Sequence, residues 1–154
     1  MAIYTSVDIQ TTDGGDLLLD GVGDFKLADT RRTVAQAINN LLLTDKGELL
    51  TDQSFGANLG NYIGERNNDA TRSLIQQEIM LSVRQQGLVD IRDFEVDVIP
   101  VDIGTAAVIC TVNGAWFNTQ PSGEFDTTFL ADLTDITMAY TYPFIKGTLS
   151  VVTV

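Results

Sequence analysis

The amino-acid sequence predicts an α+β protein in which N-terminal helices pack on a small antiparallel β-sheet or hairpin. Apolar residues recur at helical spacing in two segments before Gly87, and they alternate with polar residues after it. The 154 residues, 44% hydrophobic and 19% charged, suit one globular domain with one core. We divide this single domain, 1–154, into an extended arm or short strands at 1–28, an α+β core at 29–112 and a strand-rich C-terminal extension at 113–154.

The arm alternates short apolar runs with Gly and Asp. Turn signals at 13–15 and 20–23 border two segments, Asp16 to Leu19 and Asp24 to Leu27. These segments are predicted to be short strands or an extended stretch.

The first predicted helix runs from Thr30 to Thr44. Asp29 or Thr30 can cap its start, and Gly47 suits a left-handed end. Its apolar positions fall at i, i+4, i+7 and i+8, typical of an amphipathic helix: Val34, Ile38, Leu41 and Leu42.

A connector and a second helix follow. The pattern of Phe55, Leu59, Tyr62 and Ile63 predicts a short helix, although Gly56 and Gly60 each cost about 1 kcal/mol in a helix interior. The longer helix is predicted to begin near a cap at Asp69 or Thr71 and to end at Gly87. Its core stripe is expected to be Ile75, Ile79 and Val83, with Leu74 beside it.

The predicted strands lie after Gly87. Alternation of Phe94, Val96 and Val98 with acidic residues indicates a half-buried strand, which Pro100 ends or marks as an edge. Its expected partner is 105–112, after a turn at 101–104. Two further segments have strand patterns, Ile136 to Tyr142 and Thr148 to Val154, and the second is an aggregation hazard unless it pairs within the fold or with a neighbour.

The charge balance excludes several function classes. Nine basic residues against twenty-one acidic ones give a net charge of −12, which disfavours binding to nucleic acid or to an anionic membrane.

The chain has no histidine, so Ser-His-Asp and Cys-His mechanisms are excluded. Cys110, the single cysteine, lies in an apolar run and is expected to be a buried, inert thiol. With neither a signal-peptide pattern nor a membrane-length apolar run, we expect synthesis and retention in a cytoplasm.

Three groups of residues offer candidate chemistry. Glu48 and Asp52 are a possible carboxylate pair of a glycosidase, although the turn-like surroundings favour surface charge and turn formation. The glycines at 56, 60 and 64 lack the sequence of a phosphate loop, and we expect them to permit close packing or positive φ. The acidic positions of the strand after Gly87 favour a solvated face over a cation site. We expect no cofactor and no metal.

Arg31 and Arg32 occupy the first turn of the first helix, where the helix dipole disfavours positive charge by about 0.3–1 kcal/mol each. Either they are two solvated arginines or they meet an acidic partner.

Between Arg31 and about Arg84 the motifs follow a fixed order: a helix ending in LLLTDKGE, then SFGANLGNYIGE, a long helix and a β-hairpin. This order resembles the baseplate wedge and sheath-initiator family of contractile phage tails, over roughly residues 25–112. The family also includes the so-called lysozyme-like baseplate subunit of type VI secretion systems. A Glu-Pro-Arg triplet found in many relatives is absent, since QQGLVDIRDFEV keeps only Arg92 of it. The matching positions are Thr44, Gly47, Glu48, Phe55, Gly56 and Leu59.

The resemblance implies a virion structural protein of the tail baseplate rather than an enzyme, assembled in the host bacterial cytoplasm. One copy would sit on each of six wedges and offer strands to the first ring of tail sheath subunits by β-augmentation. The strand edges expected to bind the sheath are at Val108, Cys110, Val112, Val151 and Val152. The expected contacts with other wedge proteins are Arg31, Arg32, Lys46, Glu48 and Arg92.

Two other function classes stay open at this point. A peptidoglycan glycosidase acting through Glu48 and Asp52 is one, and an acidic module that binds a basic protein, such as a DNA mimic, is the other.

Overall fold

The structure, a computed structural model, describes residues 8–12, 15–117, 136–143 and 150–152. Its elements confirm the α+β class. The main helices are α1 (Thr30–Leu43) and α2 (Asp69–Gln86), with a short α3 (Gly114–Phe117) and 3-10 turns at Leu59–Tyr62 and Ile91–Asp93. The strands are β1 (Asp8–Ile9), β2 (Leu27–Ala28), β3 (Phe94–Asp102), β4 (Thr105–Val112), β5 (Ile136–Pro143) and β6 (Ser150–Val152).

Helix α1 begins and ends where predicted, but the residue that ends it is not Gly47. The carboxylate of Asp29 accepts a hydrogen bond from the Arg32 backbone N–H at 2.7 Å and caps the helix. At the other end Thr44 is extended and its hydroxyl donates to the Asn40 carbonyl, so the prediction that Gly47 ends the helix is wrong. Gly47 does have a positive φ of 89°, but it lies within the following turn.

Helix α2 presents the predicted stripe to the core. Ile75, Ile79 and Val83 are completely buried, whereas Leu74 is half exposed and lies outside the stripe. The N-cap is Asn68, whose side chain accepts from the Thr71 backbone N–H, rather than Asp69 or Thr71. The left-handed Gly87 ends the helix as predicted.

The connector forms only a 3-10 turn where a short helix was expected. At Gly56 and Gly60 the chain makes a close approach that a side chain would prevent. Gly56 has a φ of 126°, and a Cβ there would lie 2.5 Å from the Thr44 carbonyl oxygen. A Cβ on Gly60 would lie 2.4 Å from the carboxylate of Asp45, which instead accepts the Gly60 N–H.

Strands β3 to β6 form one antiparallel sheet in the order β3-β4-β5-β6. The β3–β4 turn is tighter than predicted, because the strands pair up to Asp102 and Thr105. β6 pairs with β5, so the strand at 150–152 has a partner within the fold. The outer residues of the predicted strand 148–154 lie outside the described residues, as does most of the turn predicted at 13–15.

The core lies between the two long helices and one face of the sheet. Alternate residues of β4, from Ala106 to Val112, are buried and oppose Phe94, Val96 and Val98 of β3. Burying one such aliphatic side chain stabilises the fold by roughly 1.5–3 kcal/mol. Helices and hairpin therefore form one packed unit that fixes where the sheet edges lie.

The arm folds into three short segments, 8–12, 16–20 and 24–28, linked by antiparallel pairing. The two strand-like stretches predicted there are confirmed as paired, and the turn at 20–23 is closed by the carboxylate of Asp20. These backbone hydrogen bonds lower the pKa of Asp20, first among them that from Asp24.

Candidate strand-pairing site

The direction of each backbone group in the sheet follows from one hydrogen bond. The Asn113 N–H donates to the Asp93 carbonyl at 2.8 Å, just beyond the paired residues Phe94 and Val112. In an antiparallel pair the bonding direction alternates along the strand. The N–H and C=O groups of Phe94, Val96 and Val98 therefore point away from β4, to the outer edge of the sheet.

Several features protect this β3 edge against pairing. The Gln76 side-chain amide donates to the outward carbonyl of Val96 at 2.7 Å. Pro100, in the same alternation, has no N–H to offer at the edge, where proline is tolerated in a sheet. Glu95 and Asp97 are exposed on this strand. Proline, charge and a covering helix are established ways of preventing edge-to-edge association.

The prediction that β4 offers an open edge is wrong. β4 pairs with β3 on one side and with β5 on the other. Val108, Cys110 and Val112 are buried in the core, so they contact neither solvent nor a partner. The sequence predicted the strand β5 but not that it pairs with β4. The apolar run of β4 suits an inner strand as well as an edge strand.

β6 forms the opposite edge of the sheet. Continuing the alternation across β4 and β5 makes Ala139 and Val152 a hydrogen-bonded pair, and Thr141 and Ser150 another. The N–H and C=O of Val151 then point away from β5. The surrounding run 148–154, TLSVVTV, contains no charged residue and no proline. Within the described part of the chain, β6 thus offers an outer edge that lacks the protection seen at β3.

The β3–β4 hairpin is held in place by the connector. The Asn67 side chain donates to the carbonyl oxygens of Asp102 and Thr105 at 2.7 and 2.9 Å, bridging both sides of the turn. Arg72 in turn donates to the backbone and side-chain oxygens of Asn67 and pairs with Asp69. This contact fixes the connector against the hairpin turn.

The predicted wedge contacts are spread over separate places. Arg32 donates to the Thr11 carbonyl at 3.2 Å and so holds the arm against α1, while Arg31 is half-buried beside it. Lys46 forms an ion pair with Glu78 on α2 at 2.9 Å. Glu48 is exposed, and its carboxylate accepts the Asp45 N–H within the turn.

Arg92, the last of these residues, pairs with Asp90 at 2.8 Å at the surface. The side-chain hydrogen bond from Arg92, and then the one from its backbone N–H, lower the pKa of Asp90 to about 2. The same bond raises the pKa of Arg92.

The carboxylates proposed for glycoside hydrolysis, Glu48 and Asp52, accept hydrogen bonds within their own turn. Asp52 accepts hydrogen bonds from the hydroxyl and the backbone N–H of Ser54, and these lower its pKa. A general acid of a glycosidase requires the opposite, a raised pKa. No cluster of three or more metal-ligating side chains occurs in the described ranges.

Sequence reasoning missed Gln76 and Asn67. Each acts on a carbonyl of a strand far along the chain, so no local pattern reveals it. A signal for the arm was present: aspartate recurs every eight residues, at Asp8, Asp16 and Asp24, each at the start of one of the three segments.

Among the residues described, no helix is both long enough and apolar enough to span a bilayer. Comparison with protein-family models, with curated proteins and with solved structures finds no match to this chain.

Proposed function

We propose that this protein is a structural, non-enzymatic component of a contractile-tail baseplate that initiates sheath assembly. In this proposal the first ring of sheath subunits adds a strand to β6, and backbone hydrogen bonds provide much of the affinity. The observation that carries the proposal is the contrast between the two sheet edges. Gln76 and Pro100 protect β3, whereas β6 presents the outward N–H and C=O of Val151.

The ordered motif between the two helices supports the same function. The resemblance to the sheath-initiator family rests on LLLTDKGE and SFGANLGNYIGE, and residues of both stretches make contacts that stabilise the fold. Thr44 caps α1, and Gly56 allows the connector to cross the Thr44 carbonyl. Together with the contact of Asn67 on the hairpin, this arrangement holds the sheet in a fixed orientation relative to the helices.

Rigidity is what a strand-accepting template requires. A sheet already ordered before binding loses little conformational entropy when a partner strand is added, so more of the interaction energy appears as affinity. The other partners in this proposal are wedge proteins of the baseplate, with six copies of the chain per baseplate. The contacts proposed for them are Arg31, Arg32, Lys46, Glu48 and Arg92.

The experiment is electron microscopy of the cognate sheath subunit mixed with this protein. Val151→Pro removes the outward N–H and should leave the β5–β6 pairing intact, because proline is tolerated at an outer edge. Val151→Thr is the matched control, since it keeps the N–H and the β-branched shape. We expect sheath tubes capped at one end by the wild type and by Val151→Thr, and uncapped tubes with Val151→Pro.

Circular dichroism first verifies that both variants fold. Capping by a folded Val151→Pro variant would show that β6 is not the added edge. If sheath assembly is the same with and without the wild-type protein, the proposed function is wrong. Cell-wall hydrolysis that is lost in Glu48→Gln would then support the glycosidase, and salt-sensitive capture of a basic DNA-binding protein would support the acidic module.

A further inference from the structure

The three arm segments are joined by a closed ring of backbone hydrogen bonds. Gln10 N–H donates to the Lys26 carbonyl at 2.7 Å, Lys26 N–H donates to the Leu18 carbonyl at 2.9 Å, and Leu18 N–H donates to the Gln10 carbonyl at 3.0 Å. Each segment therefore bonds to the other two. These residues are eight apart, which gives the eight-residue recurrence of aspartate its structural meaning.

Helix α1 holds this ring in place. The side chain of Gln36, which is buried, accepts the Thr11 N–H at 2.8 Å and donates to the Ile9 carbonyl at 3.2 Å. Arg32 adds its bond to the Thr11 carbonyl. The arm is thus an ordered platform attached to the core, and it differs from a flexible tail in that its backbone groups are already paired.

The platform exposes an unusual amount of apolar side chain. Residues directly opposite each other in antiparallel pairs lie on the same face, and so do residues two apart on one segment. The bridge between Leu19 and Phe25 and the pair of Ile9 and Leu27 therefore place their side chains together. The face consists of Ile9 (37% exposed), Leu17 (56%), Leu19 (59%), Phe25 (48%) and Leu27 (62%).

Val22, at the turn between the second and third segments, is also 90% exposed. Single exposed apolar residues are ordinary, but a contiguous set of this kind marks a binding surface. None of these side chains belongs to the buried core cluster.

Acidic residues surround the apolar face. Residues 8–29 contain six aspartates and one lysine, a net charge of −5. Asp8, Asp16, Asp20 and Asp24 are exposed. Their position at segment ends places negative charge around the apolar side chains rather than among them.

We propose that the arm is a second docking surface, whose partner is a different protein with an apolar surface bordered by lysines and arginines. Charge complementarity selects this occupant. Two copies of the arm face would bring net charges of −5 together, and an anionic lipid surface or a nucleic acid would be repelled in the same way. This interface is separate from the β6 edge and does not depend on sheath binding.

The test uses two synthetic amphipathic peptides of equal length, one built from leucine and lysine and the other from leucine and glutamate. Each is titrated into the full-length protein, and NMR shifts of methyl and aromatic groups locate the binding. We expect the lysine peptide to bind at Leu17, Leu19, Val22, Phe25 and Leu27, with affinity that falls as salt rises. The glutamate peptide should not bind.

Two variants separate the apolar and the electrostatic contributions. Leu19→Ser with Phe25→Ser should weaken binding of the lysine peptide by about tenfold or more. Asp16→Asn with Asp24→Asn should weaken it and reduce its salt dependence. The matched control, Glu95→Gln with Asp97→Asn, makes the same charge change on β3 and should leave binding unchanged.

The controls also define the results that would overturn the proposal. Equal binding of both peptides would mean an unselective apolar surface. Shifts centred outside the arm, or equal weakening by the β3 control pair, would mean general attraction to an acidic protein. Concentration-dependent self-association of the wild type that Val22→Ser abolishes would assign the face to a second copy of the chain.

Discussion

The side-chain amide of Gln76 on α2 donates a hydrogen bond to the carbonyl of Val96 on β3 over 2.7 Å. This contact joins the helix layer to the outer edge of the sheet. It occupies a carbonyl oxygen that would otherwise accept a hydrogen bond from an added strand. Pro100, four residues further along the same edge, has no N–H to donate to such a strand. One side chain thus contributes both to stability and to the difference between the two edges.

Removing both the Gln76 side chain and Pro100 should allow the β3 edge to pair with the β3 edge of another molecule. We expect Gln76→Ala to lower the free energy of unfolding by about 1 kcal/mol, the usual net contribution of one hydrogen bond. Gln76→Ala combined with Pro100→Thr should associate in a concentration-dependent manner, because the edge regains a donor and a free acceptor. Sedimentation velocity measures the association. Gln77→Ala, an exposed neighbour on α2, is the control and should remain like the wild type.

Asn67 provides a second prediction. Asn67→Ala removes two hydrogen bonds to the carbonyls of Asp102 and Thr105 and the acceptor for Arg72. We expect a loss of roughly 1–3 kcal/mol in the free energy of unfolding, with faster amide hydrogen exchange at the hairpin turn than at the middle of β4. Asn61→Ala, an exposed change in the 3-10 turn, is the comparison. Unchanged exchange at Gly104 and Thr105 would contradict the role assigned to Asn67.

Local periodicity explains which parts of the fold could be predicted. The stripes of α1 and α2 depend on residues three and four apart, and the alternation of β3 depends on residues two apart, so each is visible within a short window. Val34, Ile79 and Val96 are buried as those patterns require. The helix start at Asn68 was missed because three neighbouring residues can each act as a cap.

Contacts between distant segments account for what the sequence did not reveal about the candidate site. Whether β4 lies inside the sheet or at its edge depends on where β5 packs, and β5 is separated from β4 by more than twenty residues. The ring in the arm consists of backbone groups, which every sequence possesses. The recurrence of Asp8, Asp16 and Asp24 every eight residues is the one sequence pattern that matches the three segments, and it did not enter the prediction.

Gly56 and Gly64 allow steric conflict to be separated from backbone strain. Both have positive φ, 126° and 90°, but a Cβ on Gly64 would meet nothing within 4 Å. Gly64→Ala should therefore cost only the conformational strain, about 1 kcal/mol. Gly56→Ala adds a conflict with the backbone at Thr44 and Asp45, and we expect a clearly larger loss of stability by urea denaturation. Equal losses for the two variants would show that the connector can move away from α1.

Cys110 gives a prediction about pH. Burial raises the pKa of its thiol from 9.0 to about 12, because the charged thiolate is poorly solvated in the core. The thiol of the unfolded chain loses its proton near pH 9. The contribution of the neutral thiol to the free energy of unfolding is therefore complete below that pH, and it is lost as the pH rises to about 12. Over this window the wild type should lose stability by up to about 1.4 kcal/mol per pH unit more than Cys110→Ala. Denaturant unfolding of both proteins at several pH values measures the difference.

The same burial should make the thiol unreactive in the folded protein. A thiol reagent at about pH 8 should label Cys110 only in chains that have unfolded, since the thiolate is the reactive form and the side chain is fully buried in the native protein. Addition of urea should raise the labelling rate in proportion to the unfolded population. Rapid labelling without urea, in a protein whose circular dichroism is unchanged, would mean that β4 opens locally and that its pairing with β3 and β5 is weaker than the continuous register of both ladders implies.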